Sequence, residues 1–171
     1  MNCAQKWTQL GRPEAVLQLY QTWYDHTSSP HRHIALFNWG TLLSSLGRSQ
    51  EAIKIYETAL TLKSDFIQAR VNLGHQQEAT GQAEAALASW REALALLDAQ
   101  NPTDESLRQH TLNNLARALE TIKRYDESEA YMVRSLELDP AQPKVIQHYV
   151  HIRQKQCEWP VYQPVGQVTT N

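Results

Sequence analysis

An internal echo of 34 residues constrains this chain more than any other feature. Gly40, Gly47, Ala52, Tyr56 and Ala59 recur, displaced by 34, as Gly74, Gly81, Ala86, Trp90 and Ala93. Small residues returning at fixed offsets with such a period mark stacked helical hairpins, because one hairpin cannot bury its apolar face alone and covers it with the next. The glycines divide into two roles. Gly11, Gly47 and Gly81 each follow a helical stretch and precede Glu-Ala or a close variant, where the chain must turn and a positive φ is needed. Gly40 and Gly74 fall inside helical patterns, where glycine costs about 1 kcal/mol against alanine. Each therefore implies close approach by a second helix.

The spacing predicts an all-α chain of helix pairs. A degenerate hairpin occupies 1–32, running from about Asn2 to His26, with its second helix entered at Pro13. One full repeat, 33–66, has helices near Arg32–Ser45 and Ser49–Leu62. The next, 67–100, has helices near Phe66–Thr80 and Ala83–Leu97. A divergent repeat, 109–142, follows after eight extra residues at 101–108, which read as a longer loop plus an extension of the next helix. Asp104 and Glu105 in that stretch suit a helix N-terminus, where the peptide dipoles favour negative charge. A helix covering the last hairpin is expected over 143–156, and 157–171 reads as a linker or the start of a further domain.

Charge and hydropathy narrow the partners. A formal net charge of -2 gives no basis for non-specific attraction to nucleic acid or to membranes. No apolar run approaches the roughly 18 residues a membrane span requires. The segment from Met1 to Trp7 lacks the charged-then-apolar order of a signal peptide. Cys3 and Cys157 are too few and too far apart for a disulfide framework, so the expected compartment is the reducing cytoplasm.

These residues resemble the tetratricopeptide repeat (TPR) family over about residues 5–155. Gly40, Ala52, Ala59, Gly74, Ala86 and Ala93 match the slots where the two helices of such a repeat touch, and Tyr56 and Trp90 match its large second-helix residue. The third unit departs from the pattern. Ala116 keeps the first small slot, but Ser128 and Ser135 replace alanines, Met132 replaces the aromatic and Lys123 stands at the turn glycine. Leu115, Leu119, Leu136 and the Leu138-Asp139-Pro140 ending still fit. The resemblance implies a right-handed superhelical solenoid. A narrower resemblance lies in the stretch from His151 to Tyr162, around Cys157-Glu158-Trp159. It is similar to the end of the repeats in O-linked N-acetylglucosamine transferases and SPINDLY-like relatives, with Glu158 in place of an aspartate. It implies that a catalytic region using a UDP-GlcNAc-like nucleotide sugar lies downstream, and that this chain itself holds no cofactor.

In a TPR the first helix of each pair lines a concave face. Asn38, Asn72 and Asn114 stand at equivalent places there, each two residues before the small residue Gly40, Gly74 or Ala116. An asparagine amide offers both donor and acceptor, so it matches both polar groups of a peptide backbone. The transferase resemblance implies a ladder of such asparagines that docks extended peptides. The plainer alternative is that each amide bonds to a neighbouring helix. Phe37, Thr41, His75, Asn113, Arg117 and His148 share that face and would set selectivity. Arg117 suits a carboxylate, although a local glutamate such as Glu120 competes for it. The C-terminal-carboxylate clamp of some TPRs is disfavoured, because Phe37, Thr41 and Val71 stand where its polar groups are needed.

The remaining constellations carry little chemistry. His31 with His33, and His148 with His151, are close pairs without a clear third ligand, so solvated histidines are the expectation rather than a metal site. Neither cysteine pairs with a recognisable base, and no phosphate loop or hydrolase motif is present. Trp23, Trp39 and Trp90 fall on apolar helical faces and are expected in the core. The chain is thus expected to bind proteins or extended peptides and to lack an active site. A homodimer through exposed terminal repeats is an open possibility. The leading expectation is the substrate-docking region of a larger protein glycosyltransferase, and its rival is a stand-alone adaptor or assembly scaffold.

Overall fold

The computed structural model describes residues 13–100 and 104–157, which form eight α-helices and no strand among the described residues. The helices are α1 (Pro13–His26), α2 (Arg32–Ser45), α3 (Ser49–Leu62), α4 (Ile67–Ala79), α5 (Ala83–Gln100), α6 (Glu105–Thr121), α7 (Tyr125–Leu138) and α8 (Pro143–Lys155). The first helix of the degenerate hairpin and residues 158–171 lie outside the described residues. Two compact units divide inside α5, between Ser89 and Trp90.

In the first unit α2 pairs with α3, α3 packs on α4 and α1 on α2. Leu17, Leu43, Ala52, Ile53, Tyr56, Ala69 and Leu73 form its core. Ala52 and Ala59 are fully buried, as residues must be where two helix backbones approach closely. Gly40 has the same cause in sharper form. A Cβ built there would sit 2.6 Å from Cε1 of Tyr56, so the glycine makes room for the buried phenol ring. The Tyr56 hydroxyl lies 3.3 Å from the hydroxyls of both Thr41 and Ser44, which answers the need of a buried phenol for polar partners.

In the second unit α6 pairs with α7, and α8 packs on α7. Ala116, Met132, Leu136, Tyr149 and Ile152 form the cluster at that end. The two serines that replace alanines are buried with their hydroxyls satisfied: Ser128 donates to the Ala116 carbonyl at 2.7 Å, and Ser135 to Oδ1 of Asn113 at 2.6 Å. Helix α8 begins with Pro143, whose missing N–H has no intrahelical partner to lose. Its Arg153 side chain is 6% exposed and donates to Oε1 of Glu129 on α7 at 2.5 Å.

Three turns share one geometry. Gly47, Gly81 and Lys123 have φ of 73°, 79° and 64°. The next residue in each case donates its N–H five residues back: Arg48 to Leu43, Gln82 to Gln77 and Arg124 to Leu119. This wide bond across a left-handed residue closes a helix C-terminus. The residue after the turn recurs as a device too. Arg48 donates to Glu51, and Arg124 to Glu127, each three residues on. Those hydrogen bonds hold both carboxyls below the usual glutamate range. All four side chains are solvent-accessible, so the pairs contribute little stability.

The helix after the insertion has the expected N-terminal extension, and the helix before it is longer than expected. Helix α5 continues to Gln100 rather than Leu97, and α6 starts at Glu105. The carboxylate of Asp104 caps α6 by accepting from the Leu107 N–H at 3.0 Å. Helices α5 and α6 are thus each longer than their counterparts α3 and α4. A second expectation fails at Trp23. Trp90 is fully buried and Trp39 packs against the first core, but Trp23 is 39% exposed beside Leu19 and Ile34. Helical periodicity gave Trp23 an apolar face, and that face here borders an open groove.

Candidate functional site

A cleft of 530 Å³ opens in the second unit between α6 and α8, floored by Met132 of α7. Helix α6 presents His110, Asn114 and Arg117 to it, spaced as one helical face requires. Helix α8 brings Lys144, Val145 and His148. Four of the nine residues expected to bind peptide meet here: Asn113, Asn114, Arg117 and His148. The carboxylate of Glu120 also lines the cleft and lies 2.9 Å from Nδ1 of His148, joining α6 to α8. Glu120 is therefore a partner of His148. Arg117 is exposed at the rim.

The two neighbouring asparagines are placed differently. Asn113 accepts from Ser135 through Oδ1 and donates to Oε1 of Gln142 at 2.9 Å. Gln142 donates in turn to the carbonyls of Ser135 and Asp139. Asn113 is thus built into the joint between α7 and α8. Its counterpart in the first repeat is Phe37, and that of Gln142 is Phe66; those two rings touch with centroids 5.1 Å apart. The same joint is aromatic in one repeat and amide-bonded in the other. Asn114 is 7% exposed and reaches the cleft wall.

The other expected residues lie in the first unit. Asn38 is exposed and borders a groove of 390 Å³ between α1 and α2, lined by Leu19, Tyr20, Trp23, His31 and Ile34. Burial raises the pKa of the Tyr20 phenol there. Asn72 is half-buried, and its amide donates to the Tyr56 hydroxyl at 3.4 Å. Phe37 packs against Tyr56 and Phe66 at the core edge. Thr41 is exposed, with its hydroxyl donating to the Phe37 carbonyl at 2.9 Å, and His75 is half-buried on α4. Among the described residues no group of three metal-binding side chains occurs. Likewise, no described helix is long and apolar enough to cross a membrane.

Sequence reasoning missed Lys144, His110, Met132 and Val145 as cleft residues. One signal was present. Lys144 follows His110 by one 34-residue period, as His148 follows Asn114, so α8 continues the register of the repeats.

The tetratricopeptide repeat model matches residues 34–66 and 109–142, so the divergent third unit is among the recognised repeats. No curated protein matches the chain. Among solved structures, MamA 41-end from Desulfovibrio magneticus RS-1 is 23% identical, with a TM-score of 0.71 over 90% of this chain and 81% of that one. BtubC from P. vanneervenii is 13% identical, with a TM-score of 0.77 over 98% and 82%. The first TPR of Spaghetti (RPAP3), bound to the HSP90 peptide SRMEEVD, is 17% identical, with a TM-score of 0.65 over 76% and 97%. The chain carries tetratricopeptide repeats and has the all-α fold of these proteins.

Proposed function

We propose that this chain of tetratricopeptide repeats is a scaffold that binds proteins through extended peptide segments. The observation that carries this reading is the cleft between α6 and α8, where four residues singled out for peptide binding converge with a mixed polar and apolar lining. A solved structure of the same fold holding a short peptide supports it. Asn38, Asn72 and Asn114 are the backbone-binding residues of this proposal, on the strength of their shared offset from Gly40, Gly74 and Ala116. Replacing all three by alanine is expected to weaken binding of an interacting peptide by about 0.5–1.5 kcal/mol per lost hydrogen bond. Isothermal titration of a peptide recovered from a captured partner measures this. Unchanged affinity in a folded triple variant rules the ladder out.

The finer reading, a docking region for an O-linked N-acetylglucosamine-transferase-like enzyme in the cytoplasm, rests on the resemblance around Cys157-Glu158-Trp159. All but the first of those three residues lie outside the described residues. Translating the reading frame past Asn171 decides between this and a stand-alone adaptor. An encoded glycosyltransferase region supports the former, and an early stop codon eliminates it.

A further inference from the structure

We infer that α8 is the first helix of a fourth repeat, and that its outer face receives an α-helix from a partner protein, one presenting a small side chain to Val150. The inference is independent of the extended-peptide reading. Cys157 follows Lys123 by the same 34 residues that separate Gly47 from Gly81, and its φ of 55° is left-handed like theirs. The hydrogen bonds agree. Gln156 donates to the Ile152 carbonyl and Cys157 to that of Gln154, as Leu46 does to Leu42 and Gly47 to Ser44. The first helices α2 and α6 are each packed against a second helix, α3 and α7. On α8 the same side carries an open cavity of 510 Å³ along Gln147, His148, Val150, His151 and Gln154. Counted through the repeats, Gln147, Val150, His151 and Gln154 correspond to Phe37, Gly40, Thr41 and Ser44. Those four surround Tyr56 of α3. The cavity therefore has the position of a seat for a second-helix side chain. Size decides what fits. Gly40 admits a tyrosine, and Ala116 shares a cluster with Met132, whereas Val150 leaves room for Ala, Gly or Ser alone. The sequence after Cys157 does not carry such a helix: in the same register Pro164 is its sixth residue, where proline removes a hydrogen bond and clashes with the turn before it. Helix α1 of a second copy is also unsuited, because its exposed side presents the large Leu19 and Trp23. Gln147 and Gln154, both exposed, offer amides to polar residues on either side of the small one.

The test uses the full chain immobilised and three peptide pools, randomised except at the centre. Two pools are held helical by side-chain lactams and carry a central Ala or Trp; the third carries the central Ala beside a Pro that breaks the helix. Mass spectrometry measures how much of each pool is retained. The helical Ala pool is expected to be retained about tenfold more than either of the others, as the cost of overpacking and of a broken helix warrants. In Val150→Gly, checked for folding by circular dichroism, the preference is expected to turn toward Trp, because the slot then resembles the one at Gly40. Gln154→Trp, at an exposed position that folding does not depend on, is expected to block retention of the helical Ala pool. A benzophenone side chain placed at Gln147 is expected to crosslink to the helical peptide on illumination. Crosslinks to residues 158–171 or to a second copy instead overturn the inference, in favour of that occupant. Equal retention of the helical and Pro-broken pools overturns it and leaves extended-peptide binding standing. Retention of no helical pool also overturns it, and the titration of the asparagine variant still decides the other reading.

Discussion

At position 40 the fold needs a residue without a side chain, and the sequence announced it, because a glycine within a helical pattern has few other reasons to be there. The opposing atom, Cε1 of Tyr56, belongs to a fully buried ring whose hydroxyl is held near Thr41, Ser44 and Asn72, so it has little freedom to retreat. Gly40→Ala is expected to destabilise the chain by about 1–3 kcal/mol, the usual range for overpacking, read from urea unfolding. Position 123 is the converse case. Lys123 holds a φ of 64° in a turn where the two regular repeats use glycine. Its left-handed backbone costs free energy that glycine does not incur, partly offset by the greater freedom of glycine when unfolded. Lys123→Gly is therefore expected to raise stability by about 0.5–1 kcal/mol in the same assay, and a lowered midpoint would contradict the account. What the pattern did not reveal is how Ser128 and Ser135 are tolerated, since their acceptors, the Ala116 carbonyl and the Asn113 amide, come from another helix.

Helix limits were legible where capping chemistry is local. Pro13 and Pro143 open α1 and α8, and Gly47 and Gly81 close α2 and α4. The ends of α5 and α6 were harder, because the sequence counts inserted residues without saying whether they extend a helix or a loop. Helix α8 shows a further limit. A closing helix was expected from the logic of a repeat array, but that logic does not mark Arg153, which is buried against Glu129. Glu129→Ala leaves that guanidinium buried without its carboxylate, which is expected to cost about 3 kcal/mol. Hydrogen exchange locates the effect: α8 amides should lose protection before those of α6. Uniform loss across the second unit, or none, would mean that the apolar contacts of Tyr149 and Ile152 dock the helix without the ion pair.

For the molecule as a whole, the period gave the fold class, since a repeat pattern constrains helices far apart in sequence at once. It also brought Asn38, Asn72 and Asn114 to corresponding places without saying how exposed each is. The three differ because the units around them differ: Asn38 faces solvent, Asn72 reaches Tyr56, and Asn114 sits in a cleft wall. The cleft itself was only half legible, because one of its walls belongs to α8, whose 34-residue spacing from α6 is not accompanied by the small-residue pattern that marks the regular repeats. The joint that seats α8 also bears on how such a chain can change over its lineage. Repeat proteins grow and shrink by duplicating and exchanging units, which requires each seam to accept any neighbour. Here one seam is Phe37 on Phe66 and another is Asn113 bonded to Gln142. Both partners of each pair lie within one repeat, 33–66 or 109–142, so a unit moved whole carries its joint along, whereas exchanging one partner alone would set an aromatic ring against an amide. Each joint therefore ties its two positions to change together, and leaves the units themselves free to be duplicated or exchanged whole.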